Sequence, residues 1–138
     1  MAYIHPAILL INMFLTLYVL GLGYTRFANN HLGAKITFNW NRHVVLGQIA
    51  LLVILAGVGS GLFFTWFLFG GPFMKSLHWT LAAYVLAPLA IIQYALGLTL
   101  HMKKKKRTAL PLLHALLGVA IVLVYILQAV VGAKILMH

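Results

Sequence analysis

Seven histidines are the titratable side chains best suited to chemistry in this 138-residue chain, which contains no aspartate, glutamate or cysteine. Five of them, His5, His43, His78, His101 and His114, fall near the ends of long apolar stretches. An ionisable residue inside a membrane-spanning segment is disfavoured by hydrocarbon and points to function. Neutral imidazole is also the commonest metal ligand. The missing residue types narrow the chemistry. Without cysteine there is no covalent c-type haem attachment, thiolate-ligated haem, iron–sulfur cluster held by this chain alone, or disulfide exchange. Without carboxylate side chains there is no Asp/Glu proton relay, and oxygen-rich Ca or Mg sites and histidine–carboxylate iron sites are implausible.

The elements that must position these histidines are transmembrane helices. Hydrophobic residues make up 64% of the chain and charged residues 7%, and about 20 apolar residues cross a bilayer core roughly 30 Å thick. Four spans are expected within one domain, 1–138, at about 4–24, 42–69, 76–101 and 111–132. The expected fold class is all-α, an integral membrane up-down-up-down four-helix bundle. The N-terminus lacks a basic region and a small-residue cleavage site, so the first run reads as a retained span. Pro6 and Pro111 suit first helical turns, and Pro88 predicts a kink whose freed carbonyl needs a partner inside the bundle. Gly70, Gly71 and Pro72 mark the end of the second span.

Charge sets the orientation. Arg26, Lys35, Arg42, Lys103, Lys104, Lys105, Lys106 and Arg107 fall on one side of the membrane, against Lys75 and Lys134 on the other. The positive-inside rule makes loops 25–41 and 102–110 cytoplasmic and puts both termini outside. The Lys103 to Arg107 run reads as a topology signal that attracts anionic lipid. Tyr3, Trp40, Trp66 and Trp79 suit an aromatic belt at the interfaces. Nucleic acid is not a candidate partner for a chain with so little soluble surface.

Alternating span direction sorts the histidines by leaflet. His5 and His78 share the outer one; His43 and His114 share the inner one, with His101 as a competitor and loop residue His31 nearby. His138 is an outer tail residue. In such a bundle, spans one and three are diagonal, as are two and four, so each leaflet holds a histidine pair facing across the interior. Facing imidazoles with a flat gap between them suit bis-histidine ligation of haem, which the absence of cysteine makes b-type. Two haem b groups, and so two iron ions, are expected.

His43 and His114 are each followed four residues later by glycine, Gly47 and Gly118. Residues i and i+4 share a helix face, so each glycine would clear space for a macrocycle edge. His78 has Ala82 at that position and His5 has Leu9, and His101 has Gly97 one turn inward in the reverse sense. His5 precedes Pro6 and is expected on the helix cap. Arg42 beside His43 and Lys75 near His78 would meet the haem propionates. Two haems would add about four negative charges to a formal charge of +10. Asn12, Thr16, Gln93 and Gln128 read as hydrogen-bonding ties between helices, and Tyr84, Tyr94 and Tyr125 as core fillers. The bland reading keeps single histidines as interfacial anchors and the glycines as packing residues. It leaves open a pigment-binding subunit with chlorophyll magnesium on histidine, or a purely structural one; a small transporter is disfavoured by the lack of carboxylates.

These motifs resemble cytochrome b-561-like transmembrane dihaem proteins, in particular their short four-helix bacterial members. The resemblance rests on His5-Pro6, on Arg42-His43-Val44-Val45-Leu46-Gly47, on His78 opening the third span, and on Leu113-His114 through Gln128-Ala129-Val130-Val131-Gly132. It covers most of the chain through short motifs. It implies electron transfer across the membrane, expected here to be a bacterial inner membrane. With almost no extramembrane mass, the chain is expected to need redox proteins or quinol as partners and to suit a homo- or hetero-oligomer. The ascorbate-binding basic residues of six-helix members have no counterpart, so ascorbate use is not implied.

Overall fold

A computed structural model describes residues 4–69, 76–103 and 109–136. Tyr3, Gly70, Gly71, Pro72, Lys75, Lys104, Lys105, Lys106, Arg107 and His138 lie outside the described residues. Four helices account for nearly all of the rest: α1 (Ile4–His31), α2 (Trp40–Phe69), α3 (Leu77–Met102) and α4 (Ala109–Leu136). No strand occurs among the described residues. Each helix is long and apolar enough to cross a membrane, and the chain is an integral membrane protein built as a four-helix bundle.

The distribution of polarity is that of a bundle in lipid. Ile11 is 71% and Phe67 74% exposed, whereas Asn12 is 4% and Gln93 7% exposed. Apolar side chains tolerate hydrocarbon, while the buried amides of Asn12 and Gln93 find partners on neighbouring helices and the buried Thr16 hydroxyl donates to the Asn12 carbonyl of its own helix. The side-by-side pairs are α1–α2, α2–α3, α3–α4 and α4–α1, leaving α1/α3 and α2/α4 as diagonals. At the centre, Ile54, Leu86, Ala90, Ile121 and Tyr125 form the buried apolar cluster. A hydrogen-bonded layer crosses it. The Asn12 side-chain amide donates to the Ala50 carbonyl (3.1 Å) and to the Tyr125 hydroxyl (3.3 Å), which in turn donates to the Leu9 carbonyl (2.9 Å). These bonds tie α1 to α2 and α4.

Helix ends depart from the hydropathy reading. α1 runs to His31, seven residues beyond its apolar stretch, because backbone bonding continues where the helix leaves the hydrocarbon; its 28 residues span about 42 Å. It ends at Gly33, whose φ of 67° is open to glycine without strain. The short 32–39 connection is pinned by Asn29, whose side-chain carbonyl accepts from the Ile36 N–H (2.9 Å) and whose amide donates to the Ile36 carbonyl. The Asn39 side chain caps α2 by accepting from the Arg42 N–H (3.1 Å), and that of Ser76 caps α3 by accepting from the Trp79 N–H (3.2 Å). His5 and Pro6 are both helical, which corrects the expectation that His5 lies on the cap. Pro111 is the third residue of α4 as described, so it is in the first turn but not its first residue.

Pro88 is accommodated locally. Residues Ala82–Leu86 of α3 form a π-helical turn, and the Ala87 N–H bonds back to the Ala82 carbonyl, five residues earlier. A wider turn just before a proline re-registers the backbone bonds that its missing N–H disturbs. Tyr84, on this turn, is 68% exposed and meets Trp79 edge-on at 5.5 Å, so it is not a core filler.

Candidate metal centre: two histidine pairs

At the end of the bundle where they begin, designated the inner end, α2 and α4 bring His43 and His114 together across the diagonal. Their ring centroids are 6.1 Å apart, with planes at 77°. The His43 Nδ1–H donates to the Val19 carbonyl of α1 (3.2 Å). A carbonyl only accepts, so the proton is on Nδ1 and the neutral ring's Nε2 keeps its lone pair. That is the tautomer a metal-ligating imidazole needs when its other nitrogen is held by a backbone oxygen. The Gln93 side chain donates to the His114 carbonyl (3.0 Å), while the buried His114 Nδ1 and Gln93 Oε1 lack hydrogen-bond partners.

An aromatic and cationic layer lies over this pair. The Phe38 ring is 5.6 Å from that of His43, and the Arg26 guanidinium is 5.7 Å from the Phe38 centroid and 5.1 Å from that of Trp40. Trp40 stacks on His101 at 6.0 Å. His101 thus belongs to this stack, and the partner of His43 is His114. Arg42 is exposed on the first turn of α2. Arg26 is the cation of this layer, and it was missed because it lies on the polar extension of α1, away from either histidine in sequence.

At the opposite end, designated the outer end, His5 and His78 line two shared cavities. One, of about 330 Å³, is walled by α4 through Gln128, Ala129 and Gly132. The other, of about 1100 Å³, opens against α2 through Gly57, Ser60 and Gly61. The larger reaches the upper end of the volumes that enclose small ligands. His78 is doubly tied to α4: its Nδ1–H donates to the Gln128 carbonyl (3.3 Å), and the Gln128 side chain donates to the His78 carbonyl (2.7 Å). Its Nε2 is therefore free in the same sense as that of His43. Tyr125 lines both cavities.

The glycines take a different role from the one expected. A Cβ on Gly47 would meet Val19 Cγ1 at 3.4 Å, and one on Gly118 would meet Gln93 Nε2 at 3.2 Å. These two positions make room for side chains of the neighbouring helix. The glycines that face imidazoles are Gly23 against His43, Gly97 against His114, Gly132 against His78 and, more loosely, Gly61 against His5. Gly97 therefore serves His114 rather than His101. That Gly23, Gly132 and the Val19 carbonyl would meet imidazoles escaped the sequence reading because the signal is a long-range spacing, not the nearest glycine.

Among the described residues, no group of three or more His, Cys, Asp or Glu converges on a point; the donor sets are pairs. No family model, curated protein or solved structure matches the chain.

Proposed function

We propose that the chain carries electrons across a bacterial inner membrane through two b-type haems, one near each face. His43 and His114 would ligate one, and His5 and His78 the other. The observation that carries this reading is the 6.1 Å apposition of two imidazoles from diagonal helices. Two metal–imidazole bonds of about 2 Å, with roughly 1 Å from each nitrogen to its ring centre, separate the centroids by about 6 Å. A pair supplies only two donors, so the metal must bring the rest, as the iron of a tetrapyrrole does. Bound haem supplies a reversible one-electron couple.

The chain's own residues do the rest. Backbone carbonyls hold the His43 and His78 rings with Nε2 free. Arg26 offers a guanidinium to a carboxylate at the inner end. The Asn12 amide, the Tyr125 hydroxyl and the Leu9 carbonyl tie α1 to α4 by hydrogen bonds. Both termini outside and the basic loops in the cytoplasm follow from the eight-to-two charge split. Partners are membrane lipids and redox proteins or quinol, and the chain is suited to work as one subunit of a homo- or hetero-oligomer. A chlorophyll-binding subunit is the competing reading; facing pairs favour haem, since a single histidine would suffice to hold chlorophyll magnesium.

The absorption spectrum of the purified chain, oxidised and dithionite-reduced, together with haem counted per polypeptide, tests this. Two b-type haems per chain are expected, and none, or a chlorophyll spectrum, sinks the reading.

A further inference from the structure

Each long helix carries a histidine near its start and a glycine about five turns later, and the antiparallel neighbour uses that glycine. The separations are eighteen residues for His5 and Gly23, His43 and Gly61, and His114 and Gly132, but nineteen for His78 and Gly97. At 3.6 residues per turn, about eighteen residues complete five turns and return to the same face. Nineteen would leave Gly97 about 100° out of phase in an uninterrupted α-helix. α3 is also the helix that contains the π turn, which takes up one residue more than an α turn and restores the phase.

The contacts are reciprocal within each hairpin. In α1–α2, His43 meets Gly23 (Cε1 3.1 Å from an added Cβ) and His5 meets Gly61 (3.8 Å); in α3–α4, His78 meets Gly132 (2.9 Å) and His114 meets Gly97 (3.3 Å). One turn further in, the register continues with one small partner at three of the four crossings. Leu9 would be 2.5 Å from a Cβ on Gly57, Val19 lies at Gly47, and Gln93 lies at Gly118; at the fourth, Gln128 binds the His78 backbone. The carbonyl that receives an imidazole proton is in both cases four residues before the facing glycine: Val19 before Gly23, and Gln128 before Gly132.

We infer that Gly23 and Gly132 are positioning residues for His43 and His78. Each forms a notch that lets the neighbour's imidazole reach a backbone carbonyl, fixing the Nδ1–H tautomer and presenting Nε2 to the bundle interior. Gly97 forms the matching notch for His114, and Gly61 the shallow one for His5. A methyl group at Gly132 or Gly23 lifts the ring off its carbonyl while leaving the histidine in place. The notch exists without any ligand. Its use, to hold imidazoles ready for a metal, rests on the haem reading above.

The test reads the ring tautomer in the haem-free full-length chain in detergent, by long-range proton–nitrogen NMR on nitrogen-15 histidine. In the wild type, His43 and His78 are expected as Nδ1–H. Gly132→Ala should shift His78 to mixed tautomers and leave His43 unchanged; Gly23→Ala should do the reverse; and Gly21→Ala, with nothing within 4 Å of its Cβ, should change neither. Nε2–H at either histidine in the wild type overturns the inference without any variant, so misfolding of a variant does not protect it. Unchanged tautomers in folded Gly132→Ala and Gly23→Ala also overturn it. Titration of the same proteins with haemin separates the two ideas. A loss of about 10- to 100-fold in affinity at the affected end is the size expected of an outer ligand-orienting group. If the tautomers respond but no variant or wild type binds haemin, the notches stand and the haem reading fails.

Discussion

The two ends of the bundle hold the same kind of histidine pair in opposite states of packing. At the inner end, the imidazoles face each other at 6.1 Å beneath Phe38, Arg26 and Trp40. At the outer end, His5 and His78 border cavities of about 330 and 1100 Å³. The side chains around each pair account for the difference. Phe38, Arg26 and Trp40 cover His43 and His114, whereas Gly61 lines open space beside His5 and His78 from α2. One turn further in, side chains pack onto glycine at both levels, Leu9 at Gly57 and Val19 at Gly47. The contrast teaches that histidine placement defines a pair, while the side chains that cover it define how much space it has.

Ligand deletion should expose the largest difference. His5→Gly and His43→Gly are each expected to lower haem from two to one per chain. Added imidazole should restore the second haem in His5→Gly, because the outer cavity admits it, and fail in His43→Gly; rescue at both ends would erase the distinction. Haem stoichiometry from the reduced spectrum reads this directly.

A smaller effect is expected from adding methyl groups along α2. A Cβ at Gly57 comes within 2.5 Å of Leu9 Cδ2, so Gly57→Ala must displace Leu9 and should destabilise the haem-free bundle by about 1–3 kcal/mol. Gly47→Ala meets Val19 at 3.4 Å and should stay within about 0.5 kcal/mol. Equal losses in denaturant unfolding in micelles would show that the two levels are packed alike.

The smallest effect concerns what the ends share. Gln93 and Gln128 each donate to the backbone of a histidine on the facing helix, at 3.0 and 2.7 Å. Gln93→Leu and Gln128→Leu should each cost about 0.6–1.5 kcal/mol, the range for interhelical hydrogen bonds in membranes and buried bonds generally. Unfolding curves for the two variants that differ by more than about 1 kcal/mol would break this equivalence.

The four spans and their diagonal relation could be read from hydropathy, proline position and short connections, because lipid forces whole apolar helices and alternating direction. Helix termini could not: Thr25 to His31 are polar enough to end an apolar run, yet backbone bonding carries α1 through them. The same blind spot hid Arg26, which reaches the inner pair only because that extension is helical. Position along the chain puts His101 and His114 at one level; what separates them is the Trp40 ring, whose stack on His101 depends on how the 32–39 connection returns. Gly47 and Gly118 stand out as near neighbours of histidine, but the antiparallel register, a relation between helices, decides that the imidazoles face Gly23 and Gly97. Gln128 was legible as a tie between helices because a deep amide in a span has nowhere else to bond.

All four paired histidines stand within the first two turns of their helices. Aligned peptide dipoles give a helix N-terminus roughly half a positive charge and a C-terminus roughly half a negative one, an effect that fades within about a turn. Alternating direction puts two of each at either end of the bundle, so backbone polarity largely cancels there and side chains set the sign. With ten cations and no acidic side chain that sign is positive, and it can be tuned one lysine or arginine at a time.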